Sequence, residues 1–204
     1  MPLNRDQVLL EAMRLVDDDG LDALSLRTLA ARLGVQAPTL YWHVKNKATL
    51  LDALADAIMD EAIGAVSAPT PDGSDGREWL LAALGQLRAA MLRHRDGARI
   101  VSGARYSMRR GDFSELAMAT LVEHGADLHH ARLLVLAGER YTVGWVLEEQ
   151  SPAPDPPDID IDTLRARFPV VTRAITEYFS AGRTPDDLYR DIARLVLHLP
   201  DETR

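Results

Sequence analysis

The sequence predicts an all-α protein, on three observations. Apolar residues recur at spacings of three and four along nearly the whole chain. Good helix-starting residues, Asn4, Ser25, Asn46 and Asp127, stand directly before those runs. No alternating apolar–polar pattern of strand length interrupts them.

Each element follows from these rules. Asn4 caps a first helix with Val8, Leu9, Ala12, Leu15 and Val16 on its apolar face, and Gly20 stops it. Ser25 caps a short second helix carrying Leu26, Leu29, Ala30 and Leu33, which Gly34 ends. Val35 is expected to be a buried pivot into a short third helix starting near Gln36, with Pro38 tolerated in its first turn. Asn46 caps a longer fourth helix that buries Leu50, Leu51, Leu54, Ile58 and Ala62. A turn-rich link, SAPTPDGSDG at 67–76, comes next. Helices are then expected over 78–93, about 107–123 and 128–149. A second loop, SPAPDPPDID, covers 151–160, and two last helices cover 164–179 and 185–199.

The run LLVLAG at 133–138 is apolar around the whole helix circumference, which implies burial on both sides. The last helix offers a second wide apolar face through Leu188, Ile192, Leu195, Val196 and Leu199. Core burial is one reading. The other is a homodimer built from the helices near 128–149 and 185–199.

Composition narrows the function. The chain has no cysteine, so thiolate metal sites and cysteine nucleophiles are excluded. It lacks a membrane-length apolar run and a signal-like start, so the expected location is cytoplasmic, away from the membrane. The formal net charge is −8, yet residues 25–47 hold Arg27, Arg32, Lys45 and Lys47 and no acid. A basic island in an acidic protein directs attraction for phosphate to one surface. Beside it, QAPTLYWHVKNK at 36–47 crowds three large rings into a chain that is only 5% aromatic.

Residues 25–44 have helix-turn-helix spacing. With Leu29, Ala30, Leu33, Leu40 and Val44 facing inward, Gln36, Thr39, Tyr41 and His43 remain to face outward. Such a helix presents its first residues to base edges in the major groove of double-stranded DNA. Trp42 is expected to brace the helix from its flank. The plainer reading is an ordinary helical corner.

Residues 4 to about 63, and above all LGVQAPTLYWHVKNKATLLDALA, resemble the DNA-binding region of the tetracycline-repressor (TetR) family of bacterial regulators. MLRHRDGARIVSGAR at 91–105 and VLEEQ at 146–150 resemble segments of its tetracycline-responsive members. The resemblance implies a helix-turn-helix DNA-binding domain over 1–46, a connecting helix over 47–66 and a ligand-binding and dimerisation domain over 67–204. It assigns base contacts to Arg27, Gln36, Pro38, Thr39 and His43, and phosphate contacts to Tyr41 and Lys47. Ala37 stands where the tetracycline repressors carry a base-reading Gln, so a different operator is expected.

The same resemblance places Val101 where those repressors hold drug-bound magnesium through a His. Ile63, Ala83 and Leu87 replace their drug-gripping His, Asn and Phe, while Arg105 and Glu148 are kept. The expected effector is therefore largely apolar and not tetracycline–magnesium, in a cavity edged by Arg105, Tyr106, Glu139, Trp145 and Glu148. Neither a metal nor a cofactor is expected, and His124, His129 and His130 are read as solvated loop residues. An enzyme would need a nucleophile–base pair or a full metal site, and the sequence offers neither. The expected function is a ligand-released repressor on a palindromic operator. The alternative is a regulator acting through a protein partner.

Overall fold

The computed structural model describes residues 3–66, 75–152 and 160–199. Most of the two predicted loops therefore lies outside the described residues. Those residues form eleven α-helices and one 3-10 turn, with no strand among them. The chain divides into two compact units, residues 1–150 and 151–204.

In the first unit, α1 (Arg5–Asp19) is closed at its start by Asn4, whose side chain accepts the Gln7 N–H at 2.8 Å while Gln7 caps back. A 3-10 turn, Leu21–Ala23, leads to α2 (Leu26–Arg32) and α3 (Ala37–Leu40). The long α4 (Lys47–Ala65) follows, then α5 (Gly76–Leu92), α6 (Gly97–Gly103), α7 (Met108–Glu123) and α8 (Leu128–Glu149). The core is made where α4 packs on α5, α6 and α7, and where α8 packs on α5, α6 and α7. Leu54, Ile58, Leu80, Leu84, Phe113 and Val146 are all buried there.

Helix α6 escaped the periodicity reading because seven residues bounded by two glycines are too few to show a period. Its start, Gly97, lies so close to the end of α5 that a Cβ would overlap the Met91 carbonyl. LLVLAG is less enclosed than its composition suggests. Leu134, Val135 and Gly138 are buried, while Leu133 is 48% exposed and Ala137 is exposed.

The second unit holds α9 (Ile161–Arg167), α10 (Pro169–Ser180) and α11 (Pro185–Val196). The single helix expected over 164–179 is thus two. Pro169 lacks an N–H and disfavours helical geometry in the residue before it, and Phe168 takes φ −129°, ψ 58°. Thr184 and Asp187 form a capping box at the start of α11. Arg183 and Tyr178 both bond the same Asp191 oxygen at 2.7 Å, tying the α10–α11 corner. Val170, Val171, Ile175 and Phe179 of α10, and Leu195 of α11, are exposed.

Candidate nucleic-acid interface

The corner between α2 and α3 is built by local rules. Ser25 and Thr28 cap α2 reciprocally, the Thr28 N–H donating to Ser25 at 3.1 Å and the Ser25 N–H to Thr28 at 2.9 Å. At the far end, Gly34 takes φ +67°, which side-chain-bearing residues avoid. The Val35 N–H then reaches the Ala30 carbonyl at 3.0 Å and the Gly34 N–H reaches the Ala31 carbonyl at 3.2 Å. This is the paired closure of a Schellman turn. Val35 is half-buried rather than enclosed.

Leu29, Ala30, Leu40 and Val44 point into the first unit, all at most 4% exposed. That fixes what faces out. Gln36 precedes α3 without spending its amide on a cap, and Pro38 is exposed beside it. Ala37, Thr39 and His43 are half-buried. Tyr41 is 57% exposed and Trp42 is 86% exposed. The expectation that Trp42 braces the helix is therefore wrong. Val44 takes the inward position two residues on, and the Trp42 indole projects into solvent.

Lys47 opens α4, where Asn46 accepts the Thr49 N–H at 2.9 Å. Its ammonium and the positive end of the helix act in the same direction on an anion. Arg27 and Lys45 are exposed as well. Arg32 is not part of this free basic surface, although its place in the sequence puts it there. Its guanidinium is held by Glu11 at 3.0 Å, Asp19 at 3.2 Å and Asp18. It joins the end of α2 to α1 and so sets how the two-helix corner stands.

A polar joint links this head to the segment between α5 and α6. The Leu21 N–H donates to Asp96 at 2.8 Å, and Arg99 bridges Asp22 at 2.7 Å and Asp96 at 2.9 Å. Asp17 accepts the Arg95 N–H at 3.0 Å, and the Arg95 guanidinium donates to the Asp18 carbonyl at 2.8 Å. Hydrogen bonding from Arg99 holds the Asp22 carboxyl below its usual range. For Asp96, burial pushes upward but the Leu21 N–H and Arg99 outweigh it, and its pKa is lowered. In sequence, Asp17 and Asp22 read only as negative charge, because their partners Arg95 and Arg99 lie more than seventy residues away.

The residues expected around an effector divide sharply. Ala83, Leu87 and Val101 are buried in the first unit's core, and Ile63 is half-buried. Glu139 is 3% exposed, accepting from the Ser114 hydroxyl at 2.5 Å with Arg110 at 3.5 Å. Trp145 is half-buried with its ring 5.7 Å from that of Tyr141. Arg105, Tyr106 and Glu148 are exposed, so they do not wall an enclosed cavity in the single chain. The Tyr106 N–H, the Ser107 hydroxyl and Arg109 instead bind Asp52, Asp56 and Asp60 along one face of α4.

Of the three histidines read as loop residues, His124 does lie in a turn, but His129 and His130 are helical. His124 follows the last turn of α7 and its Nδ1 lies 2.7 Å from the Thr120 carbonyl, while His129 and His130 lie in the first turn of α8. Among the described residues no group of three or more His, Cys, Asp or Glu is placed to hold a metal. Among the same residues no helix is long and apolar enough to cross a membrane.

A tight two-helix corner with an exposed polar and aromatic face, carried by a helix rooted in an all-helical core, defines a helix-turn-helix protein. Residues 8–54 match the family described as bacterial regulatory proteins, tetR family, and residues 68–187 match the tetracyclin repressor-like C-terminal domain. The chain belongs to the tetR family: it is a transcriptional repressor with a helix-turn-helix DNA-binding domain and a ligand-binding domain. It is 38% identical to the class C tetracycline repressor protein of Escherichia coli over 162 residues, 79% of this chain and 73% of that one. It also resembles a single-substitution form of TetR from Acinetobacter baumannii AYE in complex with minocycline. That likeness has a TM-score of 0.71 and 31% identity, over 97% of this chain and 96% of the other. BioQ with its double-stranded DNA operator aligns at a TM-score of 0.63 and 30% identity, over 73% of this chain and 87% of that one.

Proposed function

We propose that this chain represses transcription as a homodimer on a palindromic operator and is released by a small-molecule effector other than tetracycline–magnesium. The observation that carries this reading is the division of QAPTLYWHVKNK. Leu40 and Val44 are buried while Gln36, Tyr41, Trp42 and Lys47 are exposed. We assign base contacts to Arg27, Gln36, Pro38, Thr39 and His43, and phosphate contacts to Tyr41 and Lys47. Ala37 is the position at which the DNA word departs from that of the tetracycline repressors. The operator in the BioQ complex supports the DNA-bound reading by likeness.

On this reading residues 1–46 bind DNA, 47–66 connect, and 67–204 bind the effector and dimerise. Exposed Leu133 on α8 and Leu195 on α11 supply apolar surface for a partner subunit. Two recognition helices about 34–36 Å apart then meet successive major grooves. The minocycline complex of a relative supports a small-molecule effector. The apolar side chains of Ala83, Leu87 and Val101 favour a greasier one, bound near Ile63, Glu139 and Trp145, with Arg105, Tyr106 and Glu148 closing over it. Binding shifts α4, and a coupling of about 1–3 kcal/mol is enough to loosen DNA several- to a hundred-fold. The protein works in the cytoplasm without a cofactor.

Footprinting against the DNA upstream of its own gene tests this. A protected palindrome is expected, lost in the Tyr41→Ala, Lys47→Ala double variant with its thermal unfolding unchanged. Failure to protect any palindrome at low salt overturns the reading.

A further inference from the structure

We propose that His94 is a proton-operated clasp between the DNA-binding head and α4, an inference that rests on the repressor reading only for its effect on operator affinity. His94 lies between α5 and α6, and its ring meets a carboxylate at each nitrogen. Nδ1 is 3.3 Å from Asp17 at the end of α1, and Nε2 is 3.0 Å from Glu61 on α4. The ring cannot easily turn away. The His94 carbonyl accepts from the Gly97 N–H at 3.0 Å and the Gln150 side chain at 2.8 Å, and the imidazole is only 15% exposed.

A neutral imidazole carries one N–H and one lone pair, so it can donate to one of these carboxylates and must face the other with a lone pair. The imidazolium donates to both. The other charged groups around the ring are Arg93, whose Nε lies 2.8 Å from Glu61, and Arg95, which binds Asp17 through its N–H and the Asp18 carbonyl through its guanidinium.

Two links carry the consequence to DNA. Asp17 adjoins Asp18 and Asp19, which hold Arg32 at the end of α2. Protonated His94 therefore ties the recognition corner, through α1, to α4. Loss of the proton removes one side of that tie and loosens the head, which the Arg95, Asp96 and Arg99 bonds still hold. A head held at one angle meets two half-sites with less ordering cost, so operator binding tightens as pH falls from about 8 to about 6.

Two measurements on the full-length protein decide it. The ring nitrogens of His94 are followed by NMR from about pH 5.5 to about 8.5, a range that spans the ordinary imidazole titration, with hydrogen exchange at the Arg95 amide. Protonation at both nitrogens is expected at the acid end, with Arg95 protection that rises together with it and is lost in Glu61→Gln. A ring that stays singly protonated throughout, or Arg95 protection indifferent to Glu61→Gln, overturns the clasp. Separately, affinity is measured by anisotropy at about pH 6 and about pH 8, either side of that titration, for a duplex selected from a random pool. Several-fold tighter binding at the lower pH is expected, and it is abolished in His94→Gln. A His94→Gln protein that keeps the full pH difference overturns the effect on DNA. A pool that yields no duplex overturns the repressor reading, while the NMR and exchange arm still judges the clasp.

Discussion

The Asp96 carboxylate accepts the Leu21 N–H at 2.8 Å, joining the start of α6 to the turn after α1 across seventy-five positions of sequence. Asp96 holds a left-handed backbone at φ 61° to do so, and it also binds Arg99. Asp96→Ala removes the acceptor and leaves a residue that tolerates this backbone less well. A loss of about 1–3 kcal/mol follows, the usual cost of a part-buried donor without its partner. Urea unfolding reads it, and Asp96→Asn, which keeps an acceptor and tolerates this backbone, recovers most of the loss.

Acid acts on the same joint. Asp22, Asp96 and Glu61 all have lowered carboxyl pKa values in the folded protein. For Glu61, burial pushes upward and is outweighed by hydrogen bonds from His94 and Arg93. A depressed folded value means stabilisation that is complete above the unfolded range, about pH 4 to 5, and is lost as pH falls through the folded values. Thermal midpoints should therefore decline below about pH 4.5, and Asp96→Asn should show a shallower decline than the parent.

Gly97→Ala forces a Cβ into the Met91 carbonyl oxygen, a backbone atom that cannot rotate aside. Either α6 or the end of α5 must shift, at about 1–3 kcal/mol for an overpacked site. A thermal midpoint unchanged by this substitution would show that the α5–α6 corner yields freely.

Ala37→Gln restores a base-reading amide at the start of α3. Each good bidentate amide–adenine contact discriminates by about 1–3 kcal/mol. Selection from random duplexes should move the preferred half-site at one position towards adenine, leaving the other positions as in the parent. An unchanged half-site would place Ala37 away from the bases.

The corner that holds the candidate DNA contacts was legible in the sequence because its causes are local. Ser25 caps with Thr28 three residues on, Gly34 supplies the backbone that closes the turn, and Leu40 with Val44 leaves the intervening side chains facing out. The same reasoning missed the break at Phe168, where Pro169 overrides an otherwise continuous apolar period. It missed α6, which is too short to carry a period. It also misjudged Trp42, since spacing alone does not say whether a flanking ring meets protein or water.

By itself, then, the sequence determined most of the helices, the turn between α2 and α3, and most of the residues that face out of it, because capping, glycine geometry and apolar spacing act over a few positions. Only the tertiary structure decided which charges are spent within the protein. Arg32 is consumed by Glu11, Asp18 and Asp19, while Lys47 remains exposed, and His94 stands between Asp17 and Glu61. Those pairings depend on the packing of α1 with α2 for Arg32, and of α1 and α4 with the α5–α6 corner for His94. Electrostatic partners separated by tens of residues leave no spacing for a sequence to display.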